Sequence, residues 1–196
     1  MTTMNRAQPG LPTNAFAAWR TRDILIAAMV GVVFGVVFFV WNGIYAGLEW
    51  VQPPVLKDAV YGMWLVPAIL APLLIRKPGA ALFAEMAAAG VSALLGNQWG
   101  PDTLLSGFMQ GAAAELIFFL VRYRRWSLPV LALAAVASAV GAWVHDWFIY
   151  YAGIAFDVQL FRLALMAASA VAFAAFGSLA IERSLRRAGV LREPPA

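Results

Sequence analysis

The 196-residue sequence contains no cysteine, a single histidine and few charged residues. Without cysteine the chain forms no disulfide, no zinc–thiolate site and no thiol nucleophile, and a single histidine excludes a multi-histidine metal site. Charged residues make up 12% of the chain and hydrophobic residues 63%, and the mean hydropathy is +0.77. Soluble domains are about half apolar and about a quarter charged, so this composition excludes an ordinary soluble enzyme and a disordered chain.

The sequence also lacks the short motifs of common catalytic and nucleotide-binding sites. It has no Gly-x-x-x-x-Gly-Lys phosphate-binding loop, no Gly-x-Ser-x-Gly nucleophile turn and no His-Glu-x-x-His zinc motif. His145 and Asp146 are neighbours, and neighbours on a helix do not face each other, so they are not expected to form part of a catalytic triad. The sequence predicts a protein without enzymatic activity, cofactor or metal.

Long apolar runs dominate the chain. Six of them approach the length of about 20 residues with which an α-helix crosses the hydrocarbon core of a bilayer. They cover residues 24–50, 59–75, 79–96, 103–121, 127–150 and 160–181. Segments rich in proline, glycine and polar residues separate them and mark turns. We therefore predict an all-α integral membrane bundle of six transmembrane helices, with one membrane domain over residues 23–182.

Positive charges indicate which side of the membrane each loop faces. All Lys and Arg residues except Lys57 and Arg162 fall on one side of the six-helix arrangement. Cytoplasmic loops of membrane proteins carry the excess of Lys and Arg, so both termini are predicted to be cytoplasmic. Residues 1–22 lack the pattern of a cleavable signal and are expected to form a cytoplasmic segment, and residues 183–196 a basic cytoplasmic tail. The bilayer accounts for these charges, and no nucleic-acid partner is expected.

Aromatic and acidic residues concentrate on the opposite, outer side. An aromatic belt would place rings at both interfaces, so the excess on one side favours a ligand pocket. Rings and carboxylates together suit a flat cationic ligand, because rings stack on it and attract its charge. Asp146 is the acidic residue expected to contact the ligand, whereas Asp58 and Asp157 are expected on solvated loops. The predicted ring contributors are Trp41, Tyr61, Trp64, Trp99 and Trp143.

Polar side chains within or beside the apolar runs provide hydrogen-bonding candidates. Gln110 falls near mid-membrane, and its amide can both donate and accept at the edge of an aminopyrimidine-like heterocycle. Asn42 and Gln98 lie in the outer half and are predicted to converge with it. Glu85 and Glu115 should face the bundle interior, because a lone carboxylate in hydrocarbon is costly. These glutamates either bind a substrate cation or carry a proton, or they cap neighbouring helix ends.

Small residues recur at every fourth position of the first span. Ala27, Gly31 and Gly35 form a small-xxx-small pattern, which lets helices approach closely. This small-residue stripe either packs inside the bundle or forms an exposed groove that docks a partner membrane protein.

Several short segments of the chain occur together in a recognisable order. They are Arg76-Lys77-Pro78-Gly79-Ala80-Ala81-Leu82 with Glu85, Leu94-Leu95-Gly96-Asn97, Gly107, Gln110-Gly111, Ala114-Glu115 and Ser127-Leu128-Pro129-Val130, with Tyr61-Gly62 and Trp64 upstream and the region of Asp146 downstream. Together they resemble the YkoE family, the substrate-binding (S) components of energy-coupling factor (ECF) vitamin transporters, over roughly residues 59–146. The resemblance implies a six-helix protein of the bacterial cytoplasmic membrane that captures thiamine or its hydroxymethylpyrimidine precursor from outside. Its partners would be a transmembrane T component and two ABC ATPase subunits.

The resemblance also suggests roles for the candidate residues. Asn42, Gln98 and Gln110 would hydrogen-bond the pyrimidine, and either Asp146 or Glu115 would balance the positive charge. The small-residue stripe of the first span would dock the T component. Three alternatives remain open: a small proton-coupled secondary transporter that uses the two intramembrane glutamates as a relay, a membrane-embedded enzyme, and an assembly factor without a ligand.

Overall fold

The computed structural model describes residues 18–48, 50 and 54–190, and the remaining parts of the predicted terminal segments lie outside these residues. The described chain folds into α1 (Thr21–Gly47), a 3-10 segment (Pro54–Leu65) that continues into α2 (Val66–Ile75), α3 (Ala80–Leu94), α4 (Asp102–Leu120), α5 (Leu128–Ile149), α6 (Phe156–Ala170), a π-helical turn (Val171–Phe176) and α7 (Gly177–Arg187). Helix α6, the π-helical turn and α7 form one continuous rod. No strand occurs among these residues, so the predicted all-helical architecture is confirmed.

Five helical stretches in the described part of the chain are long and apolar enough to cross a membrane. They are Thr21–Gly47, Val55–Ile75, Asp102–Leu120, Leu128–Ile149 and Phe156–Arg187. The region of the third predicted span contains the shorter apolar helix α3, whose 15 residues extend over about 22 Å. Because α3 packs between α1 and α4, its alanine-rich face is buried inside the bundle.

The two ends of the bundle differ in charge. The first, called here the basic end, brings together the start of α1, the α2–α3 turn, the α4–α5 turn and the end of α7. Trp19 Nε1 donates to the Pro78 carbonyl at 2.9 Å there, and the Arg76 guanidinium lies 5.8 Å from the Trp126 ring centroid. Its basic residues are Arg20, Arg22, Arg76, Lys77, Arg122, Arg124, Arg125, Arg183, Arg186 and Arg187. The opposite end contains the candidate site and is called here the cavity end.

The second membrane-crossing stretch begins as a 3-10 helix rather than as the α-helix expected from residue 59. The 3-10 segment is 12 residues long, whereas such runs seldom exceed about four. It packs unusually closely on α6: a Cβ atom added to Gly62 would lie 2.1 Å from the Ser169 carbonyl oxygen. The Gly62 amide donates to Ser169 Oγ at 2.8 Å, so the close approach also satisfies this buried donor.

The small-residue stripe of α1 packs inside the bundle, which corrects the expectation of an exposed docking groove. Ala27, Gly31 and Gly35 are all buried. A Cβ atom added to Gly31 would lie 2.4 Å from the Ala87 Cβ, and one added to Gly35 would lie 2.4 Å from the Val91 Cβ. Helix α3 therefore occupies the groove, because small residues let the two helix backbones approach this closely.

The substitution Gly31→Val tests this packing. We expect it to lower the free energy of unfolding by about 1–3 kcal/mol, since the added atoms overlap α3. Thermal unfolding of the detergent-purified protein, followed by circular dichroism, measures the effect. Gly43→Ala on the same helix is the matched control, because a Cβ there meets nothing within 4 Å. Equal unfolding temperatures for the two variants would contradict the packing of α1 on α3.

Candidate ligand-binding cavity

The described residues surround a cavity of about 860 Å³ of empty space, its open mouth included. Its walls come from α1, the 3-10 segment, α3, α4, α5 and the α5–α6 turn. The lining residues are Phe38, Asn42, Tyr45, Tyr61, Trp64, Glu85, Ala89, Ser92, Trp99, Asp102, Thr103, Ser106, Gly107, Gln110, His145, Asp146, Tyr150 and Tyr151.

One part of the lining is a cluster of aromatic rings centred on Trp64. Its ring centroid lies 5.0 Å from those of Tyr45 and Tyr61 and 5.8 Å from that of Trp99. All three pairs have the edge-to-face geometry that aromatic rings prefer. Trp64 Nε1 donates to Asn42 Oδ1 at 2.9 Å, which fixes the orientation of the indole. The cluster therefore presents a rigid aromatic surface against which a flat ligand can pack.

Uncharged polar groups form a second part of the lining. Asn42 is engaged through both atoms of its amide, because its Nδ2 also donates to Ser92 Oγ at 3.3 Å. Gln110 Nε2 donates to Ser106 Oγ at 2.6 Å. Within the described chain, the Gln110 side-chain oxygen accepts no hydrogen bond. Gln110 is therefore the amide that retains an acceptor for a ligand, whereas Asn42 mainly orients Trp64.

The charged part of the lining contains the single histidine between two carboxylates. His145 Nδ1 lies 3.0 Å from Asp146 Oδ1, and Nε2 lies 3.1 Å from Asp102 Oδ1. Only the doubly protonated imidazole can donate to both. The Tyr150 hydroxyl also donates to Asp102, and burial together with this carboxylate raises the pKa of Tyr150, so the phenol remains protonated at neutral pH. His145 and Asp146 are in contact although they are neighbours on α5, because Nδ1 is the ring nitrogen nearer the backbone and reaches the short aspartate side chain.

The two intramembrane glutamates each cap a neighbouring helix. Glu85 is 1% exposed, and its Oε2 accepts a hydrogen bond from the Ala68 amide, in the first turn of α2, at 3.0 Å. Glu115 accepts from the Gly79 amide at 2.6 Å and the Ala81 amide at 2.9 Å, at the start of α3. Carboxylates stabilise helix N-termini by satisfying these unpaired amides. Glu85 also lines the cavity, whereas Glu115 lies at the basic end, outside the cavity lining.

The substitution Glu115→Ala should therefore separate stability from ligand binding. It leaves two amides and the Tyr123 hydroxyl, which donates to Glu115 at 2.6 Å, without their acceptor. We expect a loss of about 1–2 kcal/mol in the free energy of unfolding, as for other helix caps. Ligand affinity, measured by isothermal titration calorimetry on the folded variant, should remain within about twofold of wild type, because Glu115 does not line the cavity. A tenfold change would correspond to about 1.4 kcal/mol of binding free energy. A tenfold loss of affinity at unchanged stability would place Glu115 at the ligand instead.

Comparison with known proteins identifies the family. Residues 22–141 match a family described as the permease component of an ABC-type cobalt transport system. The chain is 35% identical over 175 residues to YkoE of Bacillus subtilis (strain 168), named an HMP/thiamine permease protein, with 89% of this chain and 88% of the relative covered. A crystal structure described as an S component of an ECF transporter matches with a TM-score of 0.85 at 34% identity, over 88% of each chain. The chain belongs to the YkoE family of ECF S components.

The protein is thus the substrate-binding component of an ECF importer and a multi-pass membrane protein. The resemblance carried by the short segments is confirmed, and it extends from the middle of the chain to most of its length. These relatives are transport proteins rather than enzymes. In the described part of this S component, no group of three or more His, Asp or Glu side chains is arranged to hold a metal ion.

The cavity of this S component brings together most of the side chains predicted to meet a ligand. They are Asn42, Tyr61, Trp64, Trp99, Gln110 and Asp146, joined by Glu85. The cavity lining also includes Tyr45, Tyr150 and Tyr151. These tyrosines belong to the outer aromatic excess, but that excess alone does not show which of its rings line the cavity. Ser106 lies one helical turn before Gln110 and accepts its hydrogen bond. This spacing of four residues would have identified Ser106 as a neighbour of Gln110 in the cavity.

The other predicted contacts do not line the cavity, and each has a structural explanation. Trp41 Nε1 donates to the Val60 carbonyl at 3.2 Å, so this indole joins α1 to the 3-10 segment. Trp143 Nε1 donates to the Gln159 carbonyl at 2.8 Å and joins α5 to α6. Gln98 is exposed in the α3–α4 turn. These three residues and Glu115 therefore lie outside the cavity lining.

Proposed function

We propose that this S component captures thiamine or its hydroxymethylpyrimidine precursor in the cavity and delivers it for ATP-driven uptake by a T component and ABC ATPase subunits. The observation that carries the proposal is the combination, in one cavity, of a rigid aromatic cluster, a free amide acceptor and carboxylates. Support also comes from the relative in Bacillus subtilis, which is named an HMP/thiamine permease protein.

Each part of the lining matches a part of these ligands. Both ligands contain a flat aminopyrimidine, which can pack against the rings of Trp64 and Trp99. The exocyclic amino group of the pyrimidine can donate to the free side-chain oxygen of Gln110. The thiazolium of thiamine carries a positive charge, which the carboxylates of Asp102 and Asp146 and the faces of the surrounding rings can stabilise.

The proposed orientation places the cavity end outside the cell and the basic end in the cytoplasm. The basic end contains nearly all the arginines and lysines of the described chain, as the positive-inside rule requires of a cytoplasmic surface. Six passes result if α3 is counted as a short third span between α1 and α4, and both termini are then cytoplasmic. The cavity consequently opens toward the outer surface of the bacterial cytoplasmic membrane, where a scarce nutrient must be captured.

Reconstituted transport tests this function. Proteoliposomes containing this S component, a T component and both ATPase subunits should accumulate labelled thiamine only when ATP reaches the ATPase subunits. Replacing the phosphate-binding lysine of those ATPase subunits should abolish uptake, since that lysine contacts the β- and γ-phosphates of ATP. Accumulation by the S component alone under an imposed pH gradient would contradict the proposal and support a proton-coupled secondary transporter.

A further inference from the structure

A buried ion pair lies beside the cavity without lining it. Arg162 in α6 is 1% exposed, and Asp58 in the 3-10 segment, which was expected on a solvated loop, is 2% exposed. Arg162 Nε donates to Asp58 Oδ2 at 2.7 Å, and a second guanidinium nitrogen lies 3.5 Å from Oδ1. Buried charges in a membrane protein are costly unless they are paired, and they usually have a functional purpose.

The same guanidinium contacts two residues that do line the cavity. Its central carbon lies 3.6 Å from the centroid of the Tyr151 ring, and one of its nitrogens lies 3.7 Å from Asp146 Oδ2. A third nitrogen donates to Gln159 Oε1 at 3.3 Å, and Gln159 Nε2 donates to the Tyr151 carbonyl at 2.6 Å. Tyr151 is therefore held both through its ring and through its backbone.

We propose that Arg162 is a positioning residue for ligand capture, which acts through Tyr151 and Asp146. Tyr151 lies in the α5–α6 turn, where no regular helix fixes the direction of a side chain, so the guanidinium determines where the ring stands. Only an arginine combines a planar face for the tyrosine ring with edge N–H groups for Asp58 and Asp146. The negative charge of Asp146 is shared between Arg162 and His145, so Arg162 also limits the charge that the cavity presents to a ligand.

Amide hydrogen exchange on the ligand-free protein tests the positioning directly. In the double variant Asp58→Asn/Arg162→Gln both charges are removed together, so no unpaired charge remains buried. The Tyr151 amide donates to the Asp146 carbonyl at the end of α5, and the Ile154 amide donates to the Tyr151 carbonyl. We expect these two amides to exchange about tenfold faster or more, while amides in the middle of α5 are unchanged. Unchanged exchange in the turn would overturn the inference. If the double variant does not fold, Arg162→Lys provides the same test, because it retains the charge but loses the planar contact.

A double-mutant cycle on thiamine affinity tests whether Arg162 acts through Tyr151, and this arm rests on the proposed function. Asp58→Asn/Arg162→Gln should weaken binding about tenfold in the wild-type background but less than about threefold in a Tyr151→Leu background. Equal losses in the two backgrounds would show that the ion pair does not act through Tyr151 and would overturn the inference. Neutralising an ion pair at the basic end, with Glu182→Gln/Arg186→Gln, is the control and should leave affinity within about twofold. Absence of thiamine binding by the wild-type protein would contradict the proposed function, and hydrogen exchange then decides the positioning role by itself.

Discussion

Replacing Trp64 by alanine should lower the affinity for thiamine and for hydroxymethylpyrimidine by about a hundredfold. Loss of one stacking ring weakens binding of a heterocyclic base by about 1–3 kcal/mol, and about 1.4 kcal/mol corresponds to tenfold. We expect the upper part of this range because Trp64 also supports the rings of Tyr45, Tyr61 and Trp99, which line the same cavity. Isothermal titration calorimetry is the appropriate measurement, since removal of a tryptophan alters the fluorescence signal.

Trp50→Ala is the matched control for this prediction. Trp50 follows α1, is 77% exposed and does not line the cavity. Its substitution removes the same side chain from the cavity end and should leave the affinity within about twofold, because it removes no ring that the ligand contacts. Equal losses for Trp50→Ala and Trp64→Ala would indicate a general effect of tryptophan on the detergent-solubilised protein and would contradict the assignment of the aromatic cluster.

A single methyl group added at Gly62 should cause the largest loss of stability of any substitution considered for this protein. The Cβ of Gly62→Ala would lie 2.1 Å from the carbonyl oxygen of Ser169 and 2.7 Å from the backbone nitrogen of Ala170. Backbone atoms cannot rotate away as a side chain can, so the 3-10 segment must separate from α6. We expect a cost of about 3 kcal/mol or more and poor recovery of folded protein.

Size-exclusion chromatography with a thermal ramp measures this effect. Gly177→Ala is the control, because a Cβ at this helical position meets nothing within 4 Å and alanine favours the helix by about 0.5–1 kcal/mol over glycine. The prediction requires the two glycine-to-alanine changes to shift the unfolding temperature in opposite directions. A stable, monodisperse Gly62→Ala protein would contradict the close contact between the 3-10 segment and α6.

The sequence predicted the helical architecture and the general character of the site because the bilayer imposes strong constraints. Apolar runs must form helices in hydrocarbon, and polar side chains such as Gln110 must face the bundle interior. Trp64 and Asp146, which both belong to the excess of aromatic and acidic residues at one end, line the same cavity. These features depend on which residue types occur in each segment of the chain, and a single sequence shows this directly.

The features that could not be predicted depend on the direction of side chains and on distant contacts. Trp41 and Trp64 both belong to the outer aromatic excess, yet of these two only Trp64 lines the cavity. The 3-10 segment turns every three residues rather than every 3.6, so helical phases extrapolated from ideal α-helices drift along it. Asp58 and Arg162 are separated by 104 positions, so no local sequence pattern predicts that they form an ion pair. Glu85 and Glu115 lie in similar apolar runs, and the helix that each one caps is set by contacts with residues distant in the sequence.

Titration of the detergent-purified protein with thiamine, followed by intrinsic tryptophan fluorescence, shows directly whether the cavity captures this ligand class. The aromatic cluster lines the cavity, so ligand binding there should change the emission of Trp64 and Trp99. We expect saturable quenching at submicromolar thiamine, with hydroxymethylpyrimidine as a competitor for the same site. A folded protein that responds to neither compound would contradict capture of this ligand class by the cavity.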